Sequence, residues 1–153
     1  MIQEKICSLW FANEDGALTV FFLLLLFNEL VFARCKSAPV IEKDKFYSSI
    51  IRVLGSDPLL VESSAHARAL VLRAQTRYEE GRLDEALSDA IAATQVACAS
   101  PTVQSVAWRT VSDAYRSQGN LHEAIEALRE WERVDPSYRT KIRNEIAELV
   151  QSL

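Results

Sequence analysis

Glycine, proline, cysteine and histidine are all scarce in this chain, which has 4, 4, 3 and 2 of them among 153 residues. The few glycines and prolines fall mostly between stretches with helical periodicity, where they would end helices. The cysteines, Cys7, Cys35 and Cys98, are odd in number and share no metal or redox spacing. Buried or free thiols are therefore expected, and a disulfide-based fold is not.

Basic charge is not concentrated in any part of the sequence. The formal net charge is −4, and residues 36–153 alone hold 15 basic and 17 acidic side chains. Binding to the phosphates of a nucleic acid requires a basic face. Nucleic acid is therefore not expected as a partner.

Residues suited to catalysis are few. His66 and His122 have no cysteine or carboxylate neighbour in a known catalytic or ligand spacing. Adjacent carboxylates such as Asp84 and Glu85 point to different sides of a helix, and the sequence contains no glycine-rich phosphate loop. It therefore predicts no catalytic residue, metal or cofactor, and a protein that is not an enzyme.

One long apolar run lies near the N terminus, from Ala17 to Ala33, and its 17 residues are interrupted by Asn28 and Glu29. A membrane-spanning helix needs about 20 predominantly apolar residues. Acidic residues precede the run and basic residues follow it, which favours a membrane anchor with the C-terminal part of the chain in the cytosol.

Two other interpretations of this run stay open. A secretory signal begins with basic residues and ends in a small-residue cleavage site, whereas the first 16 residues here are net acidic and Ala33-Arg34-Cys35 is a poor site. The second interpretation is that the run has no targeting role: it is either a helix buried against the rest of the chain or a segment that forms no part of a working protein.

The stretch from Val106 to Pro136 predicts two helices joined by a tight turn. Apolar or small residues recur at steps of three and four from Trp108 onward, which places them on one stripe of a helix. Gly119 can adopt the left-handed conformation that ends many helices, and Leu121 restarts the apolar period at once. A second helix therefore folds back on the first and ends before Pro136.

These residues resemble the tetratricopeptide repeat (TPR), an antiparallel helix pair of about 34 residues. The matching residues are Trp108, Val111, Ser112, Tyr115, Gly119, Ala124, Leu128 and Pro136. Trp131 departs from the pattern, because the family usually has alanine there. The motif Gly-x-Leu-x-Glu-Ala-Leu/Ile begins at both Gly81 and Gly119, 38 residues apart, so residues 67–98 resemble a second repeat. The loop 99–102 is expected to hold the additional residues.

Small side chains in the earlier repeat predict close contacts between helices. Helix axes approach to about 8 Å only where side chains are small, and the residues expected at such contacts are Ala74, Ala86, Ala90 and Ala93. Arg73 and Arg77 depart from the pattern, since apolar residues are common at their positions. A slight rotation of the first helix is expected to accommodate them.

Single helices are expected on either side of the two repeats. Apolar residues at helical spacing precede Pro58 and resemble the second helix of a degenerate repeat: Phe46, Ile50, Ile51 and Leu54. After Pro136 an amphipathic stripe resembles a terminal capping helix: Ile142, Ile146, Leu149 and Val150. Trp131 and Tyr138 are expected to pack beneath that helix.

The resemblance implies binding rather than catalysis. In TPR proteins the first helices of successive repeats line a concave groove that receives a peptide or a partner helix. The corresponding residues are Arg68, Val71, Gln75, Tyr78, Val106, Arg109, Asp113 and Arg116. The arginines among them can hold carboxylates in a fork geometry.

One TPR subclass binds the acidic C-terminal tails of chaperones through a two-carboxylate clamp of lysine, asparagine and arginine side chains. The residues at the clamp positions of this sequence are Val71, Gln75, Thr110, Thr140 and Asn144. They do not reproduce the clamp as a set, which makes a cochaperone the alternative rather than the first expectation.

The fold expected is all-α: TPR-like antiparallel helix pairs in a short α-solenoid, with a C-terminal capping helix and an N-terminal apolar segment. Three regions are predicted, namely the N-terminal segment 1–36, a linker with a degenerate helix at 37–66, and the helical domain 67–153. The function expected is non-catalytic protein binding, as an adaptor or assembly subunit. A location at a membrane with the repeats in the cytosol is favoured, and a soluble cytoplasmic protein is the next alternative.

Overall fold

The computed structural model describes residues 40–153 apart from 57 and 59. This part of the chain is all-α, with six α-helices, one 3-10 turn and no strand. The helices are α1 Val40–Gly55, α2 Ser64–Glu79, α3 Leu83–Gln95, α4 Pro101–Gln118, α5 Leu121–Val134 and α6 Arg139–Gln151, and the 3-10 turn is Pro136–Tyr138. The all-α prediction is confirmed for these residues.

The two predicted glycine turns end α2 and α4 in the same way. Gly81 and Gly119 have φ angles of 76° and 81°, a backbone conformation that residues with a Cβ atom rarely adopt. The N–H after each glycine closes the helix end, since Arg82 donates to the carbonyl of Arg77 and Asn120 donates to that of Tyr115, both at 2.9 Å. This pairing satisfies carbonyls that the end of a helix would leave exposed.

The start of α4 and the end of α5 follow capping signals in the sequence. Ser100 accepts a hydrogen bond from the backbone N–H of Val103 at 3.3 Å, and Pro101 opens the helix. The non-helical link before α4 is therefore residues 96–100, slightly earlier than the loop expected at 99–102. Helix α5 ends at Val134, before Pro136, as predicted.

Side-chain bonds show how the helices run relative to one another. Helices α4 and α5 are antiparallel, because Ser112 Oγ donates to the carbonyl of Ala124 and Trp131 Nε1 donates to Ser105 Oγ. Helices α2 and α4 are parallel neighbours. Their first turns meet through Ser64 Oγ and the N–H of Ser100, and their last turns meet between Tyr78 and Ser117.

Alanines lie at the contacts between helices. All four that the sequence placed there are 0% exposed: Ala74, Ala86, Ala90 and Ala93. Ala67, Ala107, Ala114 and Ala124 are equally buried. The prediction of close helix contacts at small residues is confirmed for the first set.

The outer helices complete the core. Helix α1 buries Tyr47, Ile50 and Leu54 and contacts α2, which begins at Ser64. Helix α6 buries Ile142 and Leu149 against α5, in the amphipathic arrangement expected of it. Val150 is an exception: it was expected on the buried stripe and is 55% exposed. Among the described elements, the main neighbours of α6 are α5 and the 3-10 turn, and Val150 lies on a side of α6 that they leave exposed.

The apolar run 17–33, which is the predicted membrane anchor, lies outside the described residues. From residue 40 onward, no described helix combines the length and the apolar character that crossing a bilayer requires.

Substitution of Ala124 by leucine should lower the free energy of unfolding by about 1–3 kcal/mol, because the residue is 0% exposed and a larger side chain must push two helices apart. Urea denaturation of the full chain measures this loss. The matched control is Ala147→Leu at an exposed position of α6, and equal stability losses in the two variants would contradict the close contact.

Candidate functional site

The eight residues predicted to line a groove lie on the parallel helices α2 and α4. Helix α2 contributes Arg68, Val71, Gln75 and Tyr78, and helix α4 contributes Val106, Arg109, Asp113 and Arg116. The two sets meet most directly at the C-terminal ends of the helices, where the hydroxyl oxygens of Tyr78 and Ser117 are 2.9 Å apart. We call the accessible members of these sets the α2/α4 face.

The eight side chains differ in accessibility. Arg109 and Arg116 are exposed, and Arg68, Gln75, Tyr78, Val106 and Asp113 are half-buried. Val71 is only 4% exposed and packs in the core cluster with Leu70 and Val96. Because α2 contacts α1, α3 and α4, most of its apolar side chains are covered. Val71 therefore contributes to the core and offers almost no surface to a partner.

Charges on the α4 part of the face are paired within the helix. Arg116 Nη2 donates to Asp113 at 3.2 Å, and Arg109 Nε lies 3.8 Å from the other carboxylate oxygen of the same residue. Two guanidinium groups thus share one carboxylate. Exposed ion pairs of this kind contribute little to stability, so the arginines can exchange their partner at small cost.

An aromatic and cationic cluster adjoins this face, and the sequence analysis did not assign it to binding. Trp131 is 3% exposed, and its Nε1–H donates to Ser105 Oγ at 2.7 Å. Arg109 Cζ and Lys141 Nζ lie 6.0 and 5.9 Å from the centroid of its ring. The Tyr138 ring lies 5.3 Å away, centroid to centroid.

Trp131 packs beneath the last helix as predicted, since it shares a core cluster with Ile142 of α6, whereas Tyr138 contacts the Trp131 ring and stays 46% exposed. The one feature of the sequence that pointed to this cluster was Trp131, a large aromatic residue at a position where TPR proteins usually have alanine. Its cations could not be inferred, because Arg109 and Lys141 come from helices before and after α5 in the chain.

A second charged cluster joins α1, α2 and α3. Arg73 donates to both carboxylate oxygens of Asp89 at 2.7 Å and to Ser48 Oγ at 3.0 Å. Arg77 donates to Asp44 at 2.7 Å and to Asp89 at 2.9 Å. Asp89 is 6% exposed as a whole residue. The two arginines that depart from the repeat pattern therefore pair with carboxylates from the helices on either side of them.

The electrostatics of this cluster are clearest at Asp44. Burial alone raises the pKa of its carboxyl group, but the hydrogen bond from Arg77 and the positive charges of Arg77, Arg82 and Arg73 together outweigh that effect and lower the pKa below 3.8. At the rim of the cluster, the hydrogen bond from Arg82 lowers the pKa of Glu85 in the same direction. The folded state therefore favours the charged form of both carboxylates.

Among the described side chains, no three His, Cys, Asp or Glu residues form a group that could hold a metal ion.

The sequence was compared with models of protein families and with curated proteins, and neither comparison gives a match. The resemblance to TPR proteins thus depends on the residues and spacings of this chain.

Substitution of Asp89 by alanine should lower the free energy of unfolding by about 3 kcal/mol, because it leaves two largely buried guanidinium groups without their shared carboxylate. The control is Glu126→Ala, which removes a 68%-exposed partner of Arg129 and should cost less than about 1 kcal/mol. Urea denaturation of both variants makes the comparison. A small loss for Asp89→Ala, no greater than that of the control, would show that the two guanidinium groups do not depend on Asp89 for their charge pairing.

The lowered pKa of Asp44 makes part of the stability depend on pH. A carboxyl group with a depressed folded-state pKa stabilises the fold above its unfolded pKa, here 3.8, and loses that contribution as pH falls through the folded value. The difference in unfolding free energy between wild type and Asp44→Asn should be constant near neutral pH and shrink as the pH falls below 3.8. A series of urea titrations measures it, and a difference independent of pH would argue against the ion pair.

Proposed function

We propose that residues 67–136 are two TPR-type repeats and that this chain is a non-catalytic protein-binding module, an adaptor or assembly subunit. Three features support the repeat assignment. Each proposed repeat is an antiparallel helix pair with a left-handed glycine at its turn. In the first pair, Arg73 and Arg77 of α2 meet Asp89 and Glu85 of α3 in reverse order, and in the second, Ser105 and Ser112 of α4 meet Trp131 and Ala124 of α5 in the same way. The first helices, α2 and α4, are parallel neighbours. Alanines provide the contacts between helices.

The observation that carries the functional proposal is the composition of the accessible part of the α2/α4 face. Arg109 and Arg116 are exposed, and their only ion-pair partner on the face is Asp113 of the same helix. Tyr78 and Gln75 add half-buried polar side chains from α2. A face with rigid helices beneath it and weakly paired charges on it suits a peptide or partner helix, because binding then orders few additional groups.

The cochaperone alternative is less well supported by the same face. Two of the five side chains at the clamp positions, Val71 and Thr110, are 4% and 6% exposed. They leave almost no surface for the tail of a chaperone. We therefore prefer a dedicated adaptor that recognises a different segment.

Selection of peptides from a displayed random library on the full chain tests the proposal. Peptides should be recovered that bind wild type, and the double variant Arg109→Glu, Arg116→Glu should change their affinity by at least about tenfold, since reversing two charges on the face alters its electrostatic complementarity to a bound segment. The matched control is Arg129→Glu, a 60%-exposed arginine of α5.

Two results would count against this function. One is the absence of any selected peptide. The other is a set of peptides whose affinity falls with Arg129→Glu and is unchanged by reversal of Arg109 and Arg116, which would place binding away from the α2/α4 face. Chaperone tails ending in Glu-Glu-Val-Asp belong in the same assay, and selective capture of them would favour the cochaperone alternative.

A further inference from the structure

We infer that the ligand of this chain is an acidic peptide, whose aspartate or glutamate side chains pair with Arg109 and Lys141 beside the Trp131 ring. This inference rests on the proposed function and extends the α2/α4 face by one element, to the start of α6. The carboxylates that bind are side chains within an extended segment of a partner protein.

The first support is that two cations converge on one ring. Arg109 comes from α4 and Lys141 from α6, and their charged groups lie 6.0 and 5.9 Å from the centroid of Trp131. The hydrogen bond from Trp131 to Ser105 and the 3% exposure of the residue fix the ring. Both cations therefore lie beside a rigid support rather than on independent flexible surfaces.

The second support is that both cations are weakly neutralised. Arg109 Nε lies 3.8 Å from Asp113, and Lys141 Nζ lies 3.8 Å from Glu145. Other exposed arginines of this region pair more closely, such as Arg139 and Arg143 with Glu132 at 3.2 and 3.0 Å. A partner's carboxylate that reaches hydrogen-bonding distance gains more than the intramolecular pair gives up.

Side-chain carboxylates are favoured over a chain terminus by the way the chain itself uses these cations. Arg109 and Lys141 each face a different carboxylate side chain, Asp113 and Glu145. A peptide with two separated acidic residues reproduces that arrangement, with one carboxylate for each cation.

The third support is an exposed aromatic ring that contacts the same tryptophan. Tyr138 is 46% exposed while its ring contacts Trp131. An exposed aromatic ring on a rigid support is typical of residues that anchor interfaces. The peptide is therefore expected to carry an apolar or aromatic side chain near its acidic residues.

The test uses a blocked peptide, acetylated and amidated, in which two aspartates flank one phenylalanine. Its affinity for the full chain is measured by fluorescence anisotropy beside that of the same peptide with asparagines in place of the aspartates. The acidic peptide should bind at least about tenfold more tightly, and its affinity should fall as salt is added, because exposed charges are screened.

Protein variants locate the site. Arg109→Gln and Lys141→Gln should each weaken the acidic peptide by about three- to tenfold and leave the asparagine peptide unchanged. The matched control is Arg129→Gln, which removes a 60%-exposed cation of α5 and should leave both peptides unchanged. In a nitrogen-15 spectrum the indole N–H of Trp131, assigned by its loss in Trp131→Phe, should shift with the acidic peptide.

The outcomes separate the inference from the function on which it rests. Equal binding of the acidic and asparagine peptides, with loss of both in the Arg109→Glu, Arg116→Glu double variant, would overturn the acidic ligand and keep the peptide-binding face. Binding that needs a free C-terminal carboxylate would overturn the side-chain commitment. A full chain to which neither these probes nor any displayed peptide binds would overturn both proposals.

Discussion

Close approach of helices at alanine is the constraint on which the rest of this structure depends. Alanines with 0% exposure lie on α2, α3, α4 and α5. Because an alanine side chain ends at Cβ, the backbones of neighbouring helices can come near enough for direct contact. The bond from Ser112 Oγ to the carbonyl of Ala124, at 3.2 Å, joins a short side chain of one helix to the backbone of the next. A serine side chain is short, so it reaches the backbone of the next helix only where the two helices lie close together.

Much of the interior is made of small residues, and between α1 and α2 charged groups lie beside the buried apolar side chains of α1. Arg73 and Arg77 bring long aliphatic stems into this region and place their guanidinium groups against Asp89 and Asp44. Buried ion pairs contribute little net stability compared with apolar side chains of equal volume, but they require one geometry. The cluster therefore fixes the position of α1 more than it strengthens the fold.

Sequence reasoning was most successful where the controlling physics is local. The helix ends at Gly81 and Gly119 follow from the backbone freedom of glycine, and the end of α5 follows from Pro136. Periodicity also identified the apolar faces. It could not tell which neighbour would cover each face, so Val71 was expected in a groove and is buried, while Val150 was expected to be buried and is exposed.

The candidate site was predicted only in part, for the same reason. Arg109, Asp113 and Arg116 were implied by the resemblance to TPR proteins, and the structure places them on one helix at steps of four and three. The partners of Arg77 lie 33 and 12 positions away along the chain, and those of Trp131 come from helices on both sides of α5. Such juxtapositions depend on how helices are arranged in space, which no local pattern specifies. The anomalous residues themselves, two arginines and one tryptophan where small or apolar residues were expected, were the visible signal.

The two groups of arginines differ in what their charges can do. Arg73 and Arg77 hold carboxylates at 2.7 to 2.9 Å with side chains that are 16% and 14% exposed, so exchanging those partners would leave charges buried and unpaired. Arg109 is 57% exposed and its pair is 3.8 Å long. Water can replace Asp113 as the partner of Arg109 at little cost in free energy, and so can the carboxylate of another molecule. The same residue type thus serves the fold in one cluster, whereas in the other its charge is exposed and only loosely paired, and both differences follow from where the two helices place these side chains.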